Sequence, residues 1–498
     1  MFYNNSMERQ EEIRQLRLKK IDVMHAQNLE AYPGAVALRT SIKDVLTRFA
    51  ALVRSKSPVR LSGRATSTRG HGGILFLDVE DESGIMQVIV RKDALGDAAF
   101  TQLEELLDVG DFVLANGRVT KTKRGEKSLD AMHVKIIAKA LLPPPAKYSG
   151  LKDAEERFRK RYLDLTLNKE VRARFVKRAK LVSSLRNFLE KNGFLEVETP
   201  MLQLLPGGAS ARPFSTHLNA LDLDLYLRVA PELFLKRLLV GGFEKVYELG
   251  RAFRNEGMDT THNPEFTILE FYWAYQDAKG LMAFTEKMFL EIARTLLGRS
   301  ARTFSFHGKA VTLETSFPTI TFHKMLKRYA NIDVVTARDA EVLHAAEECG
   351  VESKVHPTRA EQLDAIFKKR CLENLWNPTF VIEHPIELSP LAKAKFDDPS
   401  VAERFQLVVA GMEVVNAFSE LNDPKEQRRR FEAQEQARTA GSQEAQRLDE
   451  EYIEALEYGM PPAAGFGMGI DRLVMLLTDA PSLREVILFP TMRPKDRG

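Results

Sequence analysis

The chain is poor in cysteine, in tryptophan and in long apolar runs, and each shortage excludes something. Two cysteines among 498 residues, Cys349 and Cys371, cannot build a disulfide framework and fit a reducing compartment. No CxxC pair or closely spaced histidine pair argues for zinc. No stretch approaches the roughly eighteen consecutive apolar residues of a membrane span. The opening "MFYNNSMERQEEIRQLRLKK" lacks an apolar h-region and mixes acidic with basic residues, unlike a secretory signal or a transit peptide. These absences predict a cytoplasmic protein with no membrane partner. Three chemical signatures are missing as well. There is no GxxxxGK[ST] and no GxSxG, and "GFGMGI" lacks the third glycine of the dinucleotide fingerprint. A nucleotide bound here must be held by other means.

What is present is ordinary in bulk: 44% hydrophobic and 28% charged residues, enough for a full core. Charge is uneven along the chain. Residues 1–150 hold 23 Lys/Arg against 18 Asp/Glu, and the remainder 49 against 51. The basic excess suits a phosphate backbone as partner, and equally an ordinary solvated surface.

Residues 7–30 are charged and helix-prone until "AYPGA" breaks the pattern. From Val59 onward, "VRLSGRATST", "GILFLDVED", "IMQVIVRKD", "DFVLANGRVTKT" and "SLDAMHVKIIAKAL" read as five short strands, with "FTQLEELLD" helical among them. That pattern predicts a small OB-type barrel. "LLPPPAKYSG" (141–150) comes next as a stiff boundary, since consecutive prolines join neither a helix nor a central strand. Beyond it, residues 170–192 predict a long amphipathic helix with Phe175, Leu181, Leu185 and Leu189 at helical spacing, then a strand "GFLEVETPML". A highly charged helical stretch is expected over 424–456. The fold class expected is α+β with an antiparallel sheet flanked by helices, without the βαβα rhythm of a doubly wound fold.

Three segments concentrate chemistry. In "FEKVYELGRAFRNEG", strand alternation puts Val246, Glu248, Gly250, Ala252 and Arg254 on one face. The returning "FTILEFYWAY" puts Phe266, Ile268, Glu270 and Tyr272 together, so a hairpin with loop 255–265 presents Arg254, Phe266, Glu270 and Tyr272 to one pocket. In "AGFGMGIDRLVMLLTD", Gly465, Gly467 and Gly469 leave a strand face bare for a flat ring or a chain backbone. Asp471 is expected as N-cap of the apolar helix after it, and Arg472 in its first turn suggests an anion to bind. In "GMEVVNAFSELND", Asn416, Phe418 and Glu420 share a face, whereas Glu413 is out of phase unless a bulge intervenes. "PGGASARPF" and "APELFLKRLL" add Gly208 and Glu232.

Together, "GFLEVETP", "FRNEG…HNPEF" and "GFGMGIDR" resemble motifs 1, 2 and 3 of class II aminoacyl-tRNA synthetases. "GGASARPF", "APELFLKR" and "NAFSELNDP" resemble the lysyl-tRNA synthetase branch, over essentially the whole chain. The resemblance implies a helical extension (1–57), an OB-fold anticodon-binding domain (58–145), a linker (146–158) and a class II catalytic domain (159–498). It implies ATP, L-lysine and tRNA(Lys) as partners, Mg²⁺ with the ATP, and a homodimer through motif 1, with no role for DNA. By the same resemblance Arg254, Glu256, His262, Asn263 and Phe266 hold ATP, with Glu413 on Mg²⁺ and Arg472 on the γ-phosphate. Arg254 and Arg472 are the catalytic pair. Gly208, Glu232, Arg254, Glu270, Tyr272, Asn416, Phe418 and Glu420 form the amino-acid pocket. Its three glutamates and an aromatic wall suit an ammonium rather than a side-chain carboxylate. In the barrel, Arg64, Phe76, Gln87 and Glu126 match anticodon-reading positions. One departure stands out: Gln406 occupies a place where the family carries a second metal-binding glutamate, which implies weaker or fewer metal sites.

Overall fold

The computed structural model describes residues 2–145, 151, 153–209, 211–351, 358–439 and 447–494. The chain divides into two compact units, residues 1–151 and 152–498.

In the first unit a helix, Phe2–Ala26, precedes five strands: β1 (Val59–His71), β2 (Ile74–Asp81), β3 (Gly84–Arg91), β4 (Phe112–Lys121) and β5 (Lys127–Ala138). They close into a barrel in the order β1-β2-β3-β5-β4. Alternation dictates its inside: Leu75, Leu77 and Val79 of β2 are buried, while Phe76, Asp78 and Glu80 face outward and are only partly covered. The helix Asp97–Leu106 adds Phe100, Leu103 and Leu106 to that core. Pro143, Pro144 and Pro145 carry no regular structure, and residues 146–150 of the expected boundary lie outside the described residues.

The second unit is built on a sheet of eight strands among the described residues. These are β6 (Leu195–Glu196), β7 (Lys245–Phe253), β8 (Glu265–Ala274), β9 (Thr319–Thr321), β10 (Thr379–Ile382), β11 (Arg404–Val409), β12 (Met412–Ser419) and β13 (Ala463–Gly469). Their order across the sheet is β9-β10-β11-β12-β13-β8-β7-β6. The central pairings are antiparallel, but β9 runs parallel to β10 and β6 parallel to β7, so the sheet is mixed rather than wholly antiparallel. The expected helix is present as Lys169–Lys191, and its Leu181, Leu185 and Leu189 pack on Tyr247, Leu269 and Phe271 of the sheet. Phe271 stacks on Phe466 with centroids 4.4 Å apart. One face of β7, β8 and β13 is thereby sealed, and the other is left for a ligand.

Two expectations need correction. "GFLEVETPML" is not one strand: only Leu195–Glu196 and Leu202–Gln203 are extended. Pro200 has no N–H to give a ladder, and Thr199 turns its own N–H and hydroxyl to Glu248 instead (3.1 and 2.6 Å). Asp471 is not an N-cap. Gly469 holds that position for the helix Ile470–Leu477. Asp471 lies buried in the first turn, accepting from Arg178 Nη1 (2.5 Å) and from the Thr267 N–H (2.8 Å). It ties the long helix to β8. The charged stretch 424–456 forms two helices, Pro424–Thr439 and Glu450–Glu457, and residues 440–446 lie outside the described residues.

Candidate active site

Pairing of β7 with β8 sets Val246 opposite Tyr272, Glu248 opposite Glu270, Gly250 opposite Ile268 and Ala252 opposite Phe266. The faces are those alternation requires. Phe266, Glu270 and Tyr272, with Arg254 just past the end of β7, line one cavity of about 710 Å³. That is ample for a nucleotide and an amino acid.

At one end the cavity is cationic. The Arg254 side chain lies against Phe266, its guanidinium carbon 5.1 Å from the ring centroid, and its buried Nε has no hydrogen-bond partner. Burial and the neighbouring Arg472 lower its pKa, while Glu256, Glu270 and Glu413 oppose the shift. An arginine starts so far above neutrality that it keeps its charge. Arg472 donates to the Glu413 carbonyl (3.1 Å), to His262 Nε2 (2.8 Å) and, at 3.4 Å, to the Thr261 carbonyl. An arginine only donates, so His262 Nε2 is an acceptor and its proton sits on Nδ1, facing Asp259 at 2.9 Å. Asn263 is buried, and its amide donates to the Glu265 carbonyl (2.6 Å). Glu256 is exposed on the rim.

The other end is anionic. Glu232 opens the helix Glu232–Val240 and faces the cavity beside Gly208, whose φ of 86° suits glycine. A Cβ there would come 2.8 Å from Glu232 Cβ. Glu270 is buried in the wall with Tyr272, Asn416 and Phe418, whereas Glu420 is buried and does not line the cavity. Burial, reinforced by Glu232, raises the Glu270 pKa well above the carboxylate range. Burial pushes that of Glu420 up to about 8 against the pull of Lys236. Burial also raises Glu232, with Lys236 opposing. Gly465 is bare for a reason: a Cβ there would overlap Glu420 Oε1 and press on Tyr272. Three partners were not foreseen from sequence. Lys236 is an ion-pair partner of both Glu232 and Glu420. Arg228 is fully buried against Glu248 at 2.5 Å. Arg404 donates to Asn416 Oδ1 at 2.8 Å. Lys236 carried a legible signal, since it stands four residues after Glu232 on one helix face.

Glu413 joins the cavity through a bulge. Leu407 pairs with Val415 and Val408 with Glu413, so Val414 is the extra residue that returns Glu413 to the face of Asn416. Gln406 lies beside it, buried. Its amide donates to Glu413 Oε2 (2.5 Å), and its Oε1 is 3.1 Å from His384 Nε2.

On the barrel, Phe76 is half-buried on the outer face, with Gln87 opposite the adjoining Asp78. Gln87 donates to Glu126 Oε2 (3.1 Å) and accepts from Ser128 (3.0 Å). Arg64 stands apart from this group. It is opposite Glu80, donates to the Gly110 carbonyl (3.0 Å) and covers Phe112. The arginine opposite Phe76 is the exposed Arg69. Sequence reading missed it because the register of β1 on β2 was unknown.

A cationic and an anionic subsite meeting at one half-buried arginine, on a largely antiparallel sheet, match a known family. The model for class II tRNA synthetases (D, K and N) matches residues 153–493, and that for the OB-fold nucleic acid binding domain residues 59–137. The chain belongs to the class II tRNA synthetases of this group. Within it, the chain is 47% identical over 493 residues to a lysine–tRNA ligase of Carboxydothermus hydrogenoformans, covering 98% of this chain and all of that protein. It is 46% identical to the lysine–tRNA ligase of Moorella thermoacetica (98% and 99% covered) and to that of Roseiflexus sp. strain RS-1 (97% and 99%).

Proposed function

We propose that this enzyme activates L-lysine with ATP and transfers it to the 3′ end of tRNA(Lys). The observation that carries the reading is the polarity of the cavity, with Arg254 and Arg472 at one end and Glu232 and Glu270 at the other, where Glu420 is buried against the lining Gly465. In the first step a lysine carboxylate oxygen attacks the α-phosphorus. The new bond is a mixed anhydride, and the bond broken is that to the pyrophosphate, which leaves. In the second step a terminal hydroxyl of the tRNA attacks the carbonyl, and AMP leaves. The carboxylate is already ionised, so activation needs no general base. It needs two anions brought together, and Arg254 stands where it can face both. Phe266 offers a flat face for adenine, and His262, Asn263 and Glu256 border it. Glu270 receives the α-ammonium, and Glu232, Glu420 and Tyr272 the side-chain ammonium. An aspartate or asparagine substrate would bring no side-chain ammonium to Glu232 and Glu420.

For Mg²⁺ the donor set fits one ion. Magnesium is commonly held by one or two carboxylates together with substrate phosphates. Glu413 supplies one carboxylate, whereas the Gln406 amide nitrogen is turned toward it. Among the described residues no group of three or more His, Cys, Asp or Glu side chains could hold a metal unaided. The ion would offset phosphate charge. The partly exposed Leu195, Met201, Leu202 and Leu204 around the Pro200 segment suit an isologous dimer contact. No helix among the described residues is long and apolar enough to cross a membrane. Lysine-dependent ATP–pyrophosphate exchange, followed by charging of tRNA, tests the assignment. Exchange that any other amino acid supports better than lysine would overturn it.

A further inference from the structure

Behind the anionic end of the cavity lies a charge that neither step of the reaction uses. Lys236 is fully buried and is not among the residues lining the cavity. Its Nζ donates to Glu232 Oε1 at 2.6 Å and contacts Glu420 Oε2. It lies 5.4 Å from the Phe418 ring centroid and 5.9 Å from that of Tyr272. Around it on the same helix are Leu233, Leu235 and Leu239, in a cluster with Leu391, Phe431 and Ile453. An apolar side chain would suit those neighbours, and burying an ammonium is costly unless its partners are well placed. A charge kept there needs a reason beyond packing.

The reason lies in the two carboxylates. Both reach one ammonium, so they are close, and two buried carboxylates in contact do not both stay ionised without a cation. If the pair held a proton, one acceptor would become a donor aimed at an incoming ammonium. The other groups facing them are Glu270 and Tyr272 from β8, Arg404 from β11 and Tyr452 from the helix Glu450–Glu457. None of these is a cation paired with either glutamate: among the described residues the ion pairs of Glu232 and Glu420 are those with Lys236. Glu420 Oε1 has no hydrogen-bond partner and sits against the bare Gly465. With Lys236 behind it and the substrate's ammonium in front, the pair becomes a neutral group of four charges.

We propose that Lys236 is a positioning residue of the side-chain subsite, whose buried ammonium opposes the protonation of Glu232 and Glu420 that burial favours and aligns both to accept the ammonium of the substrate. This rests on the lysine reading above.

The test compares wild type with Lys236→Met, which removes the charge, and Lys236→Arg, which retains it. The lysine and ATP KM values are measured by lysine-dependent ATP–pyrophosphate exchange from pH 6.5 to 9. At pH 7, Lys236→Met is expected to raise the lysine KM by about thirtyfold or more, the low end for unpairing a buried charge. The ATP KM should stay within about twofold, since that site is untouched. Raising the pH ionises the unpaired carboxylates, so the excess over wild type should shrink toward pH 9. Lys236→Arg should keep the wild-type pH dependence. A lysine KM penalty that is the same at every pH, or that falls equally on ATP, overturns the proposal. If Lys236→Met does not fold, Lys236→Gln carries the same prediction. If neither neutral variant folds, the charge serves the fold, and the proposal is overturned. Wild type without lysine-dependent exchange would defeat the functional reading itself, which the variants do not address.

Discussion

Replacing Gln406 by glutamate puts a second carboxylate beside Glu413, and the surroundings determine the outcome. Burial, with Arg404 adding to it, holds the His384 pKa well below its ordinary value, so the imidazole is neutral. Glu413 can only accept, so the Gln406 NH₂ must face it and the Gln406 oxygen must face the His384 Nε2–H. In Gln406→Glu the histidine keeps an acceptor, but the contact to Glu413 turns from a charge-assisted hydrogen bond into a meeting of two carboxylates. Losing such a bond costs about 1.5–3 kcal/mol, and the pair relieves the rest by holding a proton. In chelator the variant should therefore melt roughly 3–8 °C below wild type. Mg²⁺ with ATP should recover most of that loss, because the cation gains a second anionic ligand. In exchange assays corrected for free ATP, the variant should reach half-maximal activity at lower Mg²⁺ than wild type. Superimposable magnesium curves would refute the reasoning, whatever the melting temperatures do.

Other perturbations separate the remaining parts. Glu420→Gln should raise the lysine KM by an amount equivalent to about 2–5 kcal/mol, with ATP binding little changed; equal losses for both ligands would place Glu420 elsewhere. Phe76→Ala should weaken tRNA charging by about 1–3 kcal/mol, the usual worth of a base–aromatic stack, while exchange without tRNA persists. Loss of both together would mean that Phe76 serves the barrel's fold. Sedimentation should show a dimer at micromolar concentration, and a fully active monomer there would remove the interface assigned to the Pro200 segment. Asp164 is fully buried, and its burial is outweighed by bonds from Arg157, Asn168 and Arg161, which hold its pKa below the ordinary value. Its contribution is present above the unfolded carboxylate pKa of about 3.9 and is lost as pH falls through the lower folded value. Asp164→Asn should lower the melting temperature at pH 7, with the gap to wild type closing toward pH 3; a pH-independent gap would argue against the pairing.

Local periodicity made much of the site legible. The faces of β7 and β8, the bare glycine face of β13 and the phase problem at Glu413 each come from strand alternation, and the structure bears them out. What sequence could not supply were pairings across long separations. Lys236 and Glu420 are distant in sequence, so only their contact reveals that the pocket already holds one ammonium. That Arg69, not Arg64, lies opposite Phe76 needed the register of β1 on β2. Asp471 looked like a cap because acidic residues favour helix starts, whereas its partners, Arg178 and the Thr267 N–H, are some two to three hundred residues away.

The single extra residue at Val414 works as a parity switch. If Val414 paired in the ladder instead of bulging, continuing the register from Leu407 opposite Val415 would set Glu413 opposite Val409, on the side of the sheet where Leu407 and Val409 are packed. Flattening the bulge would thus exchange a cavity-side carboxylate for a buried, uncompensated charge, whereas deleting Val414 outright would leave Glu413 opposite Val408 on the cavity side. Chimeras are bound by that count: two residues between Glu413 and Asn416 require a bulge, and one requires none. A junction between Gln406 and Asn416 that kept two residues between Glu413 and Asn416 but lost the bulge would turn Glu413 inward, whereas one placed outside both strands would carry the bulge across intact.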